Sequence, residues 1–342
     1  MGTTTAMNTA DALAVKVWNE NLFEDVIKGI ASKNLTGYDV NSMIQLKRDL
    51  EKNQGEIITM PIMANNGASF LSEGTDIYGN ENTGTTYAQT ITLAEKAMGI
   101  KVTLGIDSKR PAFKMTDAAQ KVLANDVAVA LESDTMSVLT TSPTKIVYAT
   151  GNDVNVLADD KSTIALAGAE IATITGTKLS PRLISKLVAE FKTGFSSATW
   201  RPRPIMQNGR PHYVLLINPL VADDIRNDAT YASYIRDAEV RGKDNPFFSG
   251  ALAVVHGVVL IESENMPTAV NASDVTFAQS VMCGAQAMCQ AWGLTPELRS
   301  YKYPYDQHVG YGWVGIWKTV RTAFNSKDYS SVALVTATST AL

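Results

Sequence analysis

The run Asn65-Asn-Gly-Ala-Ser-Phe-Leu-Ser-Glu-Gly-Thr-Asp-Ile-Tyr-Gly-Asn-Glu-Asn-Thr-Gly84 separates two short segments, Glu56-Ile-Ile-Thr-Met-Pro61 and Thr85-Thr-Tyr-Ala-Gln-Thr-Ile-Thr-Leu93. Both flanks are rich in β-branched residues, which suit a pleated surface, so they read as the two strands of a long hairpin. The connection carries Gly67, Gly74, Gly79 and Gly84 with the acids Glu73, Asp76 and Glu81, and no base. So long a connection is unusual inside a compact domain, and it is too polar to build a core of its own. It is expected to project from the body and to order only where something else covers it.

On the N-terminal side, Val15, Trp18, Leu22 and Val26, flanked by Phe23, Ile27 and Ile30, recur at three- and four-residue steps and predict a helix from Asp11 to Ile30. Its apolar face has two available partners, its own domain or a neighbouring subunit. On the C-terminal side, Thr116-Asp117 is a helix start followed by Ala119, Val122, Leu123, Val127, Ala130 and Leu131 at helical spacing as far as Leu139. Such a helix is about 35 Å long at 1.5 Å per residue, enough to act as the spine of an extended domain. Thr141 to Thr177 reads as short strands and loops. Ser180-Pro181 opens a helix through Phe191, since proline is favoured where the missing N–H has no partner to lose.

Beyond Trp200 the chain reads as a turn at Asn208-Gly-Arg-Pro211, a buried strand Tyr213–Ile217 and a helix from Pro219 through Ile225. Gly257–Glu262, Val275–Met282, Leu298–Tyr305, Tyr311–Phe324 and Tyr329–Ala337 then read as strands. This order is α+β, with no regular βαβ alternation and no internal repeat.

The 342 residues, 45% of them hydrophobic, provide for one large domain or two intimately joined ones. The formal charge of -4 leaves no overall positive field, so any contact with nucleic acid is expected to be weak, local and indifferent to sequence. Cys283 and Cys289 lack the neighbouring His or Cys pairs of a zinc site and are expected to be buried, reduced thiols. The N-terminus has neither the cationic region nor the apolar stretch of a signal sequence, and no apolar run reaches membrane-spanning length. A soluble protein made in a cytoplasm is the expectation, and the sequons at Asn34 and Asn271 carry no weight.

Gly310-Tyr-Gly-Trp-Val-Gly315 satisfies G-x-G-x-x-G, but the residues before it do not read as a buried strand and those after it alternate like one, so a chance match or a β-turn is expected. His212, His256 and His308 stand far apart with no ligand partner at metal spacing. No nucleophile elbow, phosphate-binding loop or H-E-x-x-H pair is present. Asp223, Asp224, Glu132 and Asp134 read as a solvated helix face. The sequence therefore gives an enzyme no specific support, and no cofactor or metal is called for.

The ordered series Trp200-Arg-Pro-Arg-Pro204, Asn208-Gly-Arg-Pro-His-Tyr-Val-Leu-Leu-Ile-Asn-Pro219, Asp223-Asp-Ile-Arg-Asn-Asp228, Asn245-Pro-Phe-Phe-Ser-Gly250, His256-Gly-Val-Val-Leu-Ile-Glu262, Cys283-Gly-Ala-Gln-Ala287 and Tyr305-Asp-Gln-His-Val-Gly-Tyr-Gly-Trp-Val-Gly-Ile-Trp-Lys318 resembles the major capsid proteins of tailed bacteriophages. More narrowly it resembles the family typified by phage N4, with the HK97-type fold, over nearly the whole chain. The resemblance implies an N-terminal arm at 1–50 and an extended hairpin loop (E-loop) at 51–108. A peripheral domain with its spine helix at 109–199, an axial domain at 200–295 and returning strands at 296–342 complete the chain.

It implies a subunit that assembles with itself as hexamers and pentamers into an icosahedral head, in the host cytoplasm and without a membrane. Portal, scaffold and decoration proteins are the further partners, with weak nonspecific contact to packaged double-stranded DNA. An encapsulin-like compartment shell is the alternative on the same fold, and an enzyme of unknown class a distant third. The hairpin then makes sense as a strap across an adjacent subunit, with Phe70, Leu71, Glu73, Asp76, Tyr78 and Glu81 as its contacts and Trp18 as a contact from the arm. Lys109, Arg110, Lys114 and Lys121 are the expected cationic partners. Some shells of this fold are fastened by a Lys–Asn isopeptide bond, but Ile62 to Glu95 contains no Lys, so noncovalent packing is expected.

Overall fold

The computed structural model describes residues 35–51, 55–63, 70–73, 75–81, 84–103, 115–150, 153–156, 163–171, 177–193, 201–207, 209–231, 233, 253–304 and 307–339. The helix expected at Asp11–Ile30, with Trp18, lies outside them, as do Lys109, Arg110 and Lys114 and the Asn245–Gly250 segment.

Two sheets organise the chain. The first has five strands in the order β1 (Thr36–Gly37), β2 (Ile44–Lys47), β14 (Met288–Lys302), β15 (His308–Arg321) and β5 (Ala94–Thr103). The second has nine. Seven run in the order β10 (Ala253–Val255), β11 (Val258–Glu262), β9 (Arg210–Ile217), β13 (Thr276–Cys283), β18 (Ser331–Ala337), β6 (Ile146–Thr150) and β7 (Asp153–Val156). The other two, β8 (Ile205–Gln207) and β12 (Thr268–Val270), pair with β9 and β13. Two small ladders stand apart, β3 (Ile57–Met63) with β4 (Thr86–Thr92) and β16 (Ala323–Phe324) with β17 (Lys327–Asp328). The helices are α1 (Met115–Thr140), α2 (Ile164–Ala169), α3 (Pro181–Thr193) and α4 (Pro219–Arg226).

The centre of the nine-stranded sheet is buried on both faces, with β13 and β18 buried at every position, while β12 at its margin is exposed. One face packs on α3 and α4 through Leu183, Leu187, Phe191, Val221 and Ile225, with the Phe191 ring edge-on to Tyr213 at 4.9 Å. The other face meets Met136 and Leu139 of α1. Earlier turns of α1 present Ala119, Leu123, Val127 and Leu131 to Trp292, Trp313 and Trp317 of the five-stranded sheet. Those apolar positions recur every four residues, so α1 turns one stripe to the first sheet and hands its last turns to the second. At 26 residues it is about 39 Å long.

Caps and turns obey local chemistry. Asn218 Oδ1 accepts from Leu220 N–H at 2.9 Å ahead of Pro219, which starts α4 without wasting a donor. Gly209, at φ +75°, closes the β8–β9 hairpin at the Asn208-Gly-Arg-Pro211 turn. Gly284 backs directly onto the Arg203 carbonyl, which also accepts from Ala285 N–H at 2.7 Å, so two of the distinctive motifs of the sequence meet there.

Several expectations need correction. Gly310, Gly312 and Gly315 lie inside β15, held on both sides by β14 and β5, so of the two readings of the glycine triplet the chance match stands and the β-turn does not. Ile164–Ala169 is a short helix where strands and loops were expected, capped by the Thr163 side chain. Val122 is exposed, since α1 turns that position away from the tryptophans. Parallel pairing of β6 with β18 places Ile146–Thr150 in the nine-stranded sheet.

Candidate intersubunit surface

The hairpin read from the sequence is present, with β3 and β4 antiparallel and Ile58 opposite Ile91. Those two residues are the buried ones. They sit with Cys289, Ala291 and Leu93 on the five-stranded sheet, while the rest of both strands alternates between partly and fully exposed. A two-stranded ladder is marginal in water without further cover. The hairpin is therefore buried against the body at Ile58 and Ile91 and partly or fully exposed along the rest of β3 and β4.

The base is also held by one amide. Gln89 donates from Nε2 to the Arg321 carbonyl at 2.9 Å, and its Oε1 accepts from Ala323 N–H at 3.0 Å, as a strand neighbour would. Arg321 in turn closes the C-terminal end of α1. Its Nη1 donates to the carbonyls of Leu139 and Thr141 at 3.2 and 3.1 Å, and its Nη2 to that of Ser142 at 2.6 Å. Its Nε lies 2.7 Å from Asp328 Oδ1, close enough for an ion pair but not aligned for a hydrogen bond. One guanidinium thus satisfies helix-end carbonyls beside the strand that anchors the hairpin.

At the tip, tight turns set the shape. Thr75 N–H donates to Ser72 O at 3.0 Å, Asn80 N–H to Ile77 O at 2.9 Å, and Gly79 N–H to Glu81 Oε2 at 2.8 Å, with Gly79 at φ +84°. These turns leave Phe70 fully exposed, Tyr78 91% exposed and Ile77 70% exposed, with Leu71 also outside. An exposed apolar group of that size on an acidic loop is what makes the tip a candidate contact surface. Among the described residues, Glu73, Asp76 and Glu81 make no ion pair within the chain, and Lys121 stands exposed on α1. Lys96, the first cation after the hairpin, is engaged by Asp134 at 2.7 Å and lies 4.8 Å from the Trp317 ring centroid.

The expected solvated face holds at Asp223, which is exposed, and is corrected at the other three acids. Asp224 is buried: its Oδ1 accepts from Lys178 Nζ and Ser339 Oγ at 2.7 Å each, and its Oδ2 from Thr338 Oγ1 at 2.8 Å and Ser339 N–H at 3.0 Å. Burial alone raises its pKa, but the donors from Lys178, Ser339 and Thr338 outweigh it and hold the carboxyl below its ordinary value. Glu132 is buried on the face of α1 turned toward the protein, and Asp134, two residues on and only partly buried, is paired with Lys96. Cys283 and Cys289 are free and buried, and burial pushes their thiols up to about 12 and about 11. Among the described residues no group of His, Cys, Asp and Glu is arranged to hold a metal ion.

Sequence reasoning missed Gln89, Arg321, Asp328 and the Lys178–Asp224–Ser339 clasp. Apart from the Arg321–Asp328 pair, their partners lie far away along the chain, and nothing local to any of them signals the pairing.

The whole arrangement has close counterparts. The capsid of Ralstonia phage GP4 superposes with a TM-score of 0.71 at 16% identity, covering 90% of each chain. The cyanophage Pam1 capsid gives 0.71 at 17% identity over 99% of this chain and 96% of that one. The head of Helicobacter pylori bacteriophage KHP40 gives 0.69 at 14% identity over 98% and 95%. At such identities the likeness establishes the fold, which is the HK97-type fold of phage head shells. A search of curated proteins returns no match. The profile of the phage capsid protein family matches residues 4–338, and the chain belongs to that family. It is a structural protein of the virion, a major capsid protein that forms the phage head with copies of itself.

Proposed function

We propose that this subunit builds pentamers and hexamers that tile an icosahedral head around double-stranded DNA, with each β3–β4 hairpin lying across a neighbouring copy. The observation that carries this reading is the hairpin itself, buried only at Ile58 and Ile91 and fully exposed at Phe70. Ordering such a projection costs conformational entropy, and contact with a neighbour offsets that cost. The five-stranded sheet with α1 serves as the peripheral domain and the nine-stranded sheet as the axial one. The Arg321 junction lies where they meet. The formal charge of -4 suits a wall that encloses DNA without gripping it. Assembly takes place in the host cytoplasm, with portal, scaffold and decoration proteins as the remaining partners. The test is electron microscopy and light scattering of the protein expressed alone, or with its scaffold, beside a Phe70→Ser/Tyr78→Ser variant. Closed particles or capsomer rings from the parent, absent from the variant, support the reading. Equal assembly by the variant overturns it.

A further inference from the structure

Both sheets are closed by strands that lie later in the chain than the strands they join. In the five-stranded sheet β2 pairs with β14 and β5 with β15, and only the β14–β15 ladder connects the two sides. In the nine-stranded sheet β18 stands between β13 and β6. It is antiparallel to β13 from Phe277↔Ala337 to Cys283↔Ser331 and parallel to β6 at Ala333, Leu334 and Val335. Among the described residues β6 and β7 join the rest of that sheet only through β18. The anchor of the hairpin is late as well. Ile58 and Ile91 pack on Cys289 and Ala291, and Gln89 bonds to the backbone of Arg321 and Ala323. The stripe of α1 packs on Trp292, Trp313 and Trp317. Asp328 reaches back to Thr144, its Oδ2 accepting from Thr144 N–H and its own N–H donating to Thr144 Oγ1, both at 2.8 Å. The Asp224 clasp shuts on Thr338 and Ser339.

We infer that this order of closure is a check on premature assembly: a chain still being made cannot join other copies until synthesis has passed Ser339. The inference rests on the strap role proposed for the hairpin and adds the moment at which the strap becomes usable. Chains are made from the N-terminus at about 5–20 residues per second, so passage from Thr103, where β5 stops, to Ala337 takes roughly 10–50 s. Hairpins and helices form within microseconds, and neighbouring chains on one message spend that whole interval side by side. The early elements are not held during it. An uncovered β3–β4 ladder is marginal, and α1 draws most of its stability from a sheet that does not yet exist. Arrival of β14 and β15 seats both, but the nine-stranded sheet is still in two parts. The β13 side leads into β14, and the β6–β7 side follows from α1. Only β18, buried at every position, joins them. Pairing at such separation is slow, because loop closure precedes the contacts that reward it. The Lys178–Asp224 pair waits across that gap and holds the strand through Thr338 and Ser339 once it is in place.

The test keeps the chain whole. Cell-free translation of all 342 residues, followed by a Gly/Ser linker and a ribosome-stalling sequence, gives bound chains. A short linker keeps β18 inside the exit tunnel, and a long one places it outside. One readout is resistance of α1 to brief proteolysis, which reports how much of the chain is open. The other is capture of the stalled chains by tagged, released subunits under assembly conditions. Both are expected to switch on together as the linker lengthens, with capture of short-linker chains at least tenfold below that of long-linker ones. Full protection or equal capture with the short linker overturns the check. Phe70→Ser/Tyr78→Ser separates this result from the strap reading: it is expected to abolish capture at every linker length and to leave the protection step where it was. Capture of that variant at the parent level sinks the strap, while the linker dependence of the parent still decides the order of closure. Absence of capture even after release by puromycin sinks the assembly reading and the check together.

Discussion

The strands of the nine-stranded sheet and those of the β3–β4 hairpin are made from similar residues and live under opposite conditions. Thr-Phe-Ala-Gln-Ser-Val-Met-Cys in β13 and Ser-Val-Ala-Leu-Val-Thr-Ala in β18 are buried throughout. Ile-Ile-Thr-Met-Pro-Ile-Met in β3 and Thr-Tyr-Ala-Gln-Thr-Ile-Thr in β4 bury one residue each. Strand chemistry alone does not decide burial; the number of layers around a strand does. The sheet is covered on both faces by its own chain and stabilises the subunit. The hairpin has no such cover among the described residues, and the proposed strap across a neighbouring copy would supply it.

The sharpest way to break this contrast is to truncate the core. Phe191→Ala removes a fully buried ring and is expected to cost about 3–5 kcal/mol, read as a lower urea midpoint for unassembled subunits. A loss no greater than that of a hairpin variant would erase the distinction between the two regions.

Next in size is the clasp that holds the end of β18. Asp224→Ala leaves Lys178 without its carboxylate and strips Thr338 and Ser339 of an acceptor, for about 2–3 kcal/mol by the same measurement. The pH dependence has a definite sign. The folded carboxyl titrates below its ordinary 3.8, so its contribution is fully present above that value and is lost as pH falls through the lower folded one. Asp224→Asn is therefore expected to flatten the acid limb of stability against pH. An unchanged limb would show that the clasp does not couple to folding.

Arg321→Met tests the junction between the regions, where three α1-end carbonyls lose a donor. About 1–2 kcal/mol is expected, with faster hydrogen exchange at the last turn of α1 and along β4. Exchange confined to α1 would mean that the hairpin base is held independently of the helix end.

The smallest effect on the subunit is predicted at the tip. Phe70→Ser/Tyr78→Ser is expected to change subunit stability by less than about 0.5 kcal/mol, in contrast to its loss of assembly. A large destabilisation would place the tip within the folding unit after all. Cys283 and Cys289 provide a blank for such work, since raised thiols react slowly; rapid modification of native particles by iodoacetamide would contradict their burial.

Much of this was legible in the sequence because it is encoded locally. The hairpin announced itself through β-branched flanks around a long polar loop, α1 through four-residue spacing, and α4 through Asn218-Pro219. The HK97-type fold emerged from an ordered series of motifs. Val122 was misassigned because apolar spacing defines a stripe, not its edges. The glycine triplet was misread as a possible turn because strand pairing on both sides of β15 is invisible along one chain. At the candidate surface, Phe70 and Tyr78 could be named from their place in the loop, but no local signal marks Cys289 and Ala291 as the seat of Ile58 and Ile91.

By itself the sequence determined most of the strands and helices, the long acidic loop between two of the strands, and a net charge of -4. These depend on residue type and near-neighbour spacing. Tertiary structure alone decided that Asp224 is a buried clasp, that Arg321 closes α1 beside the anchor of the hairpin, and that β18 lies between β13 and β6. Each depends on residues brought together from distant parts of the chain, and the free energy of those contacts exists only once both sheets have formed.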